Sequence, residues 1–527
     1  MSTAVPSTNQ ALTADPRLDP ERRDRLRGLL AGIVGALVLV AVVMLLRPFT
    51  GGFSIIDVLA DATLLAMPIG LFAWLLETFG THAKTLFLVG LIALFVLIGG
   101  GLGQLYAART AGARRPMWAR AQAYAIGIAL GLGLVYLLVT DFVESAGPSL
   151  LRVTLALALG AEAWAIVTAL LLNALRHRGA PPEAMQHAGE GVDRRRAIAT
   201  GATGVAMLGA LGVIGWDITR VANRQTVGGP TAGELPPPIT PIDDFYVISK
   251  NFIDPDPDRG DDWGVEIEGL VERPGRISRA ELEELAGPDF VSTLTCISNE
   301  IAGPLIGTAR WTGAPLGKVL ERAGVQPTAV DVVGLGEDGY TDSIPIEKAL
   351  APETHIVWGM NGEPLPRLHG TPVRLIVPGL YGIKNVKWLT KLSVVGRDYQ
   401  GYWQERGWTD EAIIKTQSHF DVPDAQDLLV AGTHEIGGVA FAGDRGISKV
   451  EVSFDGGGTW REATIAENPG DAGLSWVIWK MDWQGKSGSY VLVVRATDGE
   501  GNLQTEEETS TLPAGASGYH RIRVGVA

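Results

Sequence analysis

Cys296 is the sole cysteine in 527 residues. It ends a β-rich run, Val291-Ser-Thr-Leu-Thr-Cys296, and opens a polar segment, Ile297-Ser-Asn-Glu300. Gly303-Pro-Leu-Ile-Gly307 follows, a backbone-exposing loop suited to close approach by a bulky ligand. A lone cysteine is open to two readings. One is a small buried hydrophobe; the other is a functional thiol held at a strand end beside a ligand loop. An intrachain disulfide is impossible with one cysteine, and so is a zinc site built on two or more.

The elements around Cys296 must be short. Trp263-Gly-Val-Glu-Ile-Glu-Gly alternates as a strand does, and Val373-Arg-Leu-Ile-Val-Pro378 reads as a buried strand. Ser278 with Glu281 three residues later caps a short helix, and Leu316 to Ala323 is amphipathic. Strands with interspersed helices of this kind predict an α+β domain. From 427 onward the helix signals vanish. Strand-like runs at 428–432, 449–454, 475–479 and 489–497 are separated by Asp455-Gly-Gly-Gly458 and Asp498-Gly-Glu-Gly-Asn502. That spacing predicts an Ig-like β-sandwich, without the Cys…Trp…Cys pattern of antibody domains.

The first 216 residues differ in kind. About 20 apolar residues are needed to cross a bilayer as a helix. Six runs meet or approach that length: 28–46, 55–76, 85–105, 119–139, 151–175 and 197–216. An N-terminal all-α membrane bundle of five or six helices is therefore expected. Arginines cluster at 22–27, 109–120 and 176–196, the pattern of cytoplasmic flanks. Three runs lie between the first two basic segments, a parity that six spans cannot satisfy. Run 55–76 is the weakest, because Asp57 and Asp61 would sit in hydrocarbon; it is expected to be re-entrant. Arg195-Arg196-Ala197-Ile198 resembles an internal twin-arginine export signal, or is a plain basic flank. Either way the residues after 216 leave the cytoplasm. No histidine lies within the six runs, so a bis-histidine haem is not expected there. The net charge of −14 argues against nucleic acid as partner. The expected organisation is a cytoplasmic tail 1–27, a transmembrane region 28–216, a Pro/Gly-rich linker 217–242, a catalytic domain 243–403 and the sandwich 404–527.

Several segments resemble the sulfite oxidase family of molybdopterin-dependent oxidoreductases, in order, from about 240 to 525. Thr295-Cys296 with Ile306-Gly-Thr-Ala-Arg-Trp-Thr-Gly-Ala-Pro-Leu316 is similar to the family's molybdenum-ligand segment. Ser343-Ile-Pro-Ile-Glu-Lys-Ala-Leu350 and Met360 to Gly370 resemble its pterin-site loops. Val373 to Leu389 resembles its phosphate-binding stretch, and Ser453 to Trp460 with Arg495 to Asp498 its dimerisation domain. The resemblance implies an oxidoreductase carrying molybdenum with molybdopterin, ligated by Cys296, with Trp311 lining the pocket. Implied cofactor contacts are Phe245, Tyr246, Tyr340, Asp342, Ser343, His369, Arg374, Asn385, Val386 and Lys387. Soft molybdenum favours thiolate, and Arg374 and Lys387 suit a phosphate. The family's active-site tyrosine corresponds to Tyr399 or Tyr402.

Two departures bear on the substrate. Where the family carries anion-binding arginines, this chain has Ile248 and Glu300. That points away from sulfite and towards a neutral substrate such as a sulfoxide, as in envelope members of the family that reduce oxidised methionine. Sulfite oxidation is the alternative. A non-catalytic surface-exposed Ig-like module is the alternative from another class. With no C-x-x-C-H, electrons are expected to pass to or from another protein or the quinone pool; a homodimer is implied by the resemblance.

Overall fold

A computed structural model describes residues 20–50, 54–79, 83–111, 117–143, 150–177, 190–224, 233–251, 254–255, 263–425, 427–468, 470 and 473–527. The expectations for most of the tail 1–27, for parts of the basic segments 109–120 and 176–196 and for part of the linker 217–242 lie outside these residues. The chain divides into two compact units. One falls within Met1–Leu59, Phe87–Val139 and Pro148–Ile218, and the other within Ala60–Leu86, Thr140–Gly147 and Thr219–Ala527.

The N-terminal helices are α1 (Pro20–Leu45), α2 (Ile55–Ala66), α3 (Ile69–Phe79), α4 (Ala83–Thr110), α5 (Met117–Val143), α6 (Leu150–His177) and α7 (Glu190–Arg224). Among the described residues, five helices are long and apolar enough to cross a membrane: segments of α1, α4, α5, α6 and α7. The run 55–76 is instead broken beside Pro68 into α2 and α3, of 12 and 11 residues. Each is too short to cross a hydrocarbon layer ~30 Å thick at ~1.5 Å per residue.

Within the first unit, α1 packs along α6 and against α4. Small residues permit the second contact: a Cβ on Gly32 would lie 2.3 Å from the Gly99 carbonyl oxygen, and one on Gly103 2.3 Å from that of Gly28. Both helices thus present a Gly-x-x-x-Gly face, as closely packed apolar helices do. Ion pairs mark the two ends, part-buried at one and buried at the other. Arg176 reaches Asp24 at 2.6 Å and the Ala107 carbonyl at 2.8 Å, so the start of α1 meets the ends of α4 and α6. Arg47 binds Asp57 at 2.8 Å and Asp217 at 2.6 Å, so the end of α1 meets the start of α2 and the later turns of α7.

The second unit holds two α+β sheets and two C-terminal sheets. Strands β1 (Gly264–Gly269), β2 (Gly275–Ser278), β5 (Asp331–Gly336), β6 (Thr341–Pro345) and β10 (Leu389–Val395) form a mixed sheet in the order β2-β1-β10-β5-β6, with β1 and β10 parallel. Helices α8 (Arg279–Glu284), α9 (Leu316–Ala323) and α10 (Ile346–Leu350) accompany it. Ser278 and Glu281 close a capping box at the start of α8, and Leu316, Val319 and Leu320 of α9 are buried in the core. A second sheet is built from β3 (Phe290–Thr295), β4 (Ile306–Pro315), β7 (His355–Met360) and β8 (Glu363–Pro364), with β9 (Arg374–Ile376) beside β7.

The C-terminal part is β-rich. One sheet runs β11 (Gln417–Val422), β13 (Gly432–Phe441), β17 (Val477–Gly485), β16 (Thr464–Glu467) and the other β12 (Leu428–Leu429), β19 (His520–Val526), β18 (Gly488–Asp498), β14 (Ile447–Ser453), β15 (Arg461–Glu462), and side chains from both, including Ile436, Val452, Trp479, Leu492 and Ile522, share one core. A further apolar cluster joins Ile297, Ile306, Tyr381 and Ile383 to Trp408, Ile414, Phe441 and Trp476. The α+β and β-rich parts are therefore fused across this cluster, directly behind the segment that follows Cys296.

Candidate functional site

Strand β3 delivers Cys296 to a cavity of about 90 Å³. The backbone N–H of Cys296 donates to the Leu305 carbonyl at 2.9 Å, closing the loop between β3 and β4 at its base. Gly382 lies opposite. A Cβ there would sit 3.1 Å from the Tyr246 hydroxyl and 3.4 Å from the Thr295 carbonyl oxygen, so a larger residue would need the Tyr246 side chain to give by a few tenths of an ångström. The Cys296 Sγ lies 3.1 Å from the Ser298 hydroxyl. Burial raises its thiol pKa, with Ser298, nearby backbone N–H groups and Lys387 opposing.

Four loops complete the wall. Phe245 to Lys250 supply one side, Asp338 and Tyr340 come from the β5–β6 turn, Leu368 and His369 precede β9, and Ile383, Asn385, Lys387 and Trp388 precede β10. Phe245 stacks on Tyr246 with ring centres 5.4 Å apart and meets His369 edge-on at 5.5 Å. Burial, followed by the proximity of Cys296, raises the Tyr246 hydroxyl pKa.

Beside Lys250, three basic groups line this space, and burial lowers the pKa of each of the three. Lys387 is lowered to about 8, Arg374 to about 10 and His369 to about 3. Arg374 donates to the carbonyls of His369 at 2.9 Å and Asn385 at 3.2 Å, and its guanidinium lies 5.7 Å from the Trp311 ring. Lys387 donates to the Leu368 carbonyl at 3.2 Å and lies 4.3 Å over the Trp388 ring. Among the described residues neither forms an ion pair with a carboxylate. Asp254 and Asp338 offset the Lys387 charge only in part, since its pKa still falls; buried cations so weakly compensated are costly, and two beside a single buried thiol suit an anionic ligand that also brings a soft metal. The residues present therefore fit molybdenum held by a phosphorylated pterin: Cys296 for the metal, and His369, Arg374 and Lys387 for the anionic end.

The structure separates the candidate residues into two groups. Phe245, Tyr246, Cys296, Tyr340, His369, Arg374, Asn385 and Lys387 line the cavity. Trp311, Asp342, Ser343 and Val386 do not. Trp311 is fully buried behind Phe245, its rings 6.1 Å away, and donates to the Ser292 carbonyl at 3.2 Å; it supports the wall rather than lining it. Asp342 pairs with buried Lys384 at 2.9 Å and meets the Tyr340 hydroxyl at 2.7 Å. Ser343 donates to the Tyr399 carbonyl at 2.8 Å, and Val386 is packed in the α+β core. The alternation of β6 turns Asp342 and Ser343 towards such partners.

Neither Tyr399 nor Tyr402 reaches the cavity; Trp403 does. Tyr402 instead stands between the Lys250 ammonium at 5.2 Å and the Arg406 guanidinium at 3.5 Å. Ile248 lines the wall, but Glu300 is exposed and does not, so the repulsion expected from Glu300 loses its basis. Sequence reasoning missed Asp338, Lys250, Ile383 and Trp403. Glu337-Asp338-Gly339 carries a turn signal that could have placed Asp338 in a loop, but nothing local aims it inward.

Comparison with known proteins points to one family of oxidoreductases. A family model described as "Oxidoreductase molybdopterin binding domain" matches residues 253–403, and one described as "Mo-co oxidoreductase dimerisation domain" matches 409–527. Sulfite oxidase of Arabidopsis thaliana is 28% identical over 332 residues, covering 52% of this chain and 84% of that protein. Mitochondrial sulfite oxidase of Homo sapiens is 33% identical over 258 residues, covering 42% of this chain and 47% of that one. Nitrate reductase [NADH] 2 of Phaseolus vulgaris is 29% identical over 332 residues, covering 51% of this chain and 37% of that one. The chain thus spans most of the plant sulfite oxidase but about half or less of the other two.

Proposed function

The chain belongs to the sulfite oxidase family of molybdopterin-binding oxidoreductases, and we propose that it is a membrane-anchored enzyme acting on a neutral substrate, a sulfoxide, outside the cytoplasmic membrane. The bound molybdenum–pterin group supplies two-electron, oxygen-atom-transfer chemistry. The chain's own residues bind, orient and enclose. The observation that carries the reading is the placing of Cys296 in one cavity with Arg374 and Lys387, neither ion-paired among the described residues.

Cys296 gives the metal its protein thiolate. Arg374 and Lys387 neutralise the phosphate of the pterin, and neutral His369 can offer one ring nitrogen as acceptor and the other as donor. Phe245, Tyr246, Trp388 and Trp403 exclude water, which strengthens every polar contact inside.

Ile248 supports the neutral substrate, since it places an aliphatic side chain where the family's resemblance implies an arginine. Lys250 favours a second reading, sulfite oxidation, because it brings an ammonium to the same wall. The pairing of helix ends supports the location. It gathers the basic segments at 22–27, Arg109 and Arg176 at one end, which the positive-inside tendency assigns to the cytoplasm. The later turns of α7 then lie at the opposite end, leading to residues 219–527.

Metal and pterin analysis of wild type beside Cys296→Ser tests the cofactor reading. About one molybdenum per chain in the first and a large loss in the second are expected. Turnover of methionine sulfoxide with a reduced dye, set against turnover of sulfite with an oxidised one, separates the two substrates. Metal-free, folded, exported protein would instead support a non-catalytic surface module.

A further inference from the structure

Lys84, in the first turn of α4, reaches the loop that walls the cavity. Lys84 belongs to the same compact unit as the soluble half, although most of α4 belongs to the other. At the start of α4, the Lys84 ammonium donates to the Ser249 carbonyl at 3.2 Å and also to the Asn251 carbonyl. These two carbonyls flank Lys250, which lines the cavity. The clamp then runs inward. Asn251 is buried, its amide nitrogen donates to Asp338 Oδ2 at 2.8 Å, and its amide oxygen accepts from Lys250 at 2.8 Å. Asp338 in turn accepts from the backbone N–H of Tyr340 at 3.1 Å, and Asp338 and Tyr340 both line the cavity.

We propose that Lys84 is a positioning residue: its ammonium bridges the carbonyls of Ser249 and Asn251 and so holds the Ile248–Asn251 wall of the active-site cavity in place. The physical ground is the two-carbonyl bite. An ammonium offers three donors and no acceptor, and a loop made of Ile248, Ser249 and Lys250 has no ladder of its own to hold it. One cation across two carbonyls two residues apart therefore fixes backbone that is otherwise tied down through the Asn251 side chain. The first turn of α4 is then part of how the site is built. That consequence rests on the cavity being the catalytic site, as proposed above.

The test uses the full chain, in detergent or nanodiscs, as wild type, Lys84→Met and Lys84→Arg. Lys84→Met keeps the aliphatic stem and removes the donors; Lys84→Arg keeps donors able to span both carbonyls. Amide hydrogen exchange over residues 243–251 should speed up about five-fold or more in Lys84→Met, the order expected for loss of a charged hydrogen bond. It should return towards wild type in Lys84→Arg, with exchange in β13 (Gly432–Phe441) unchanged in both. With methionine sulfoxide as probe, KM should rise while kcat at equal molybdenum content holds. Unchanged exchange over 243–251 in Lys84→Met overturns the proposal, and so does a uniform increase that includes β13. The exchange measurement needs no substrate, so an enzyme that turns over neither methionine sulfoxide nor sulfite defeats the functional reading while leaving the role of Lys84 decided.

Discussion

Lys384 and Asp342 pair at 2.9 Å with 1% of each side chain exposed. Lys384 also reaches Asp410 at 2.7 Å, and Asp342 meets the hydroxyl of Tyr340, a cavity residue. Burial holds the Asp342 carboxyl above its ordinary range, with Lys384 pulling the other way. Removing one partner leaves a buried charge uncompensated, which costs about 3–5 kcal/mol. Lys384→Met should therefore lower the denaturation midpoint strongly in chemical unfolding. The double variant Lys384→Met/Asp342→Leu should recover much of the loss; a double variant no better than the single would refute the pairing as the cause.

Lys387 gives the opposite sign in protein freed of cofactor. Its pKa falls from 10.5 to about 8, so the folded state binds fewer protons than the unfolded between those values. The resulting penalty grows as pH drops through that window and is complete below about 8. At pH 7, Lys387→Met should stabilise the cofactor-free chain by about 1–3 kcal/mol. The same substitution should weaken retention of the cofactor. Thermal melting of the empty protein and pterin content after gel filtration read the two effects separately.

Ile248 offers a test of substrate charge. A guanidinium there adds one charge-assisted hydrogen bond, worth about 1.5–3 kcal/mol. Ile248→Arg should then lower KM for sulfite by about tenfold or more, with a smaller effect on methionine sulfoxide. Equal changes for both would show that charge at this position does not select the substrate.

His520 predicts acid sensitivity in the β-rich part. Burial, with His419 nearby, lowers its pKa to about 4, and its Nδ1 accepts from the backbone N–H of Phe420 at 3.1 Å, which requires the neutral ring. The unfolded chain takes up this proton near pH 6.5 and the folded chain only near 4. Stability should therefore fall as pH drops across that interval, by up to about 3 kcal/mol. His520→Gln should flatten this part of the pH profile in denaturant titrations.

The helix ends make a prediction about sidedness. Single cysteines placed at Ala111, after α4, and at Thr50, after α1, in a Cys296→Ser background should label oppositely with a membrane-impermeant maleimide on intact cells. Thr50 is buried beside Arg47, so a tagged reporter joined after Thr50 provides the second readout. Labelling of Ala111 from outside would reverse the orientation.

Much of this protein is legible in one dimension. The soft-metal thiol, the two cations suited to phosphate and the apolar runs are stated by residue type, and strand-forming residues lead directly into Cys296. The weakness of run 55–76 was also visible, in Asp57 and the parity of the arginine clusters; the structure breaks that run beside Pro68. Residue type alone could not tell which side chains of a loop face inward. Asp338, Lys250 and Trp403 reach the cavity, while Trp311, Asp342, Ser343 and Val386 stand behind it and Glu300 faces solvent.

What the sequence determined by itself was the chemistry: one sulfur, a set of buried basic groups and enough apolar length for five helices. Tertiary structure alone decided the facing. Asn251 finds Asp338 across 87 positions, and Lys84 reaches Asn251 across 167. Contacts between residues so far apart are made by packing, and packing is what selects one face of a loop from backbone preferences that permit several.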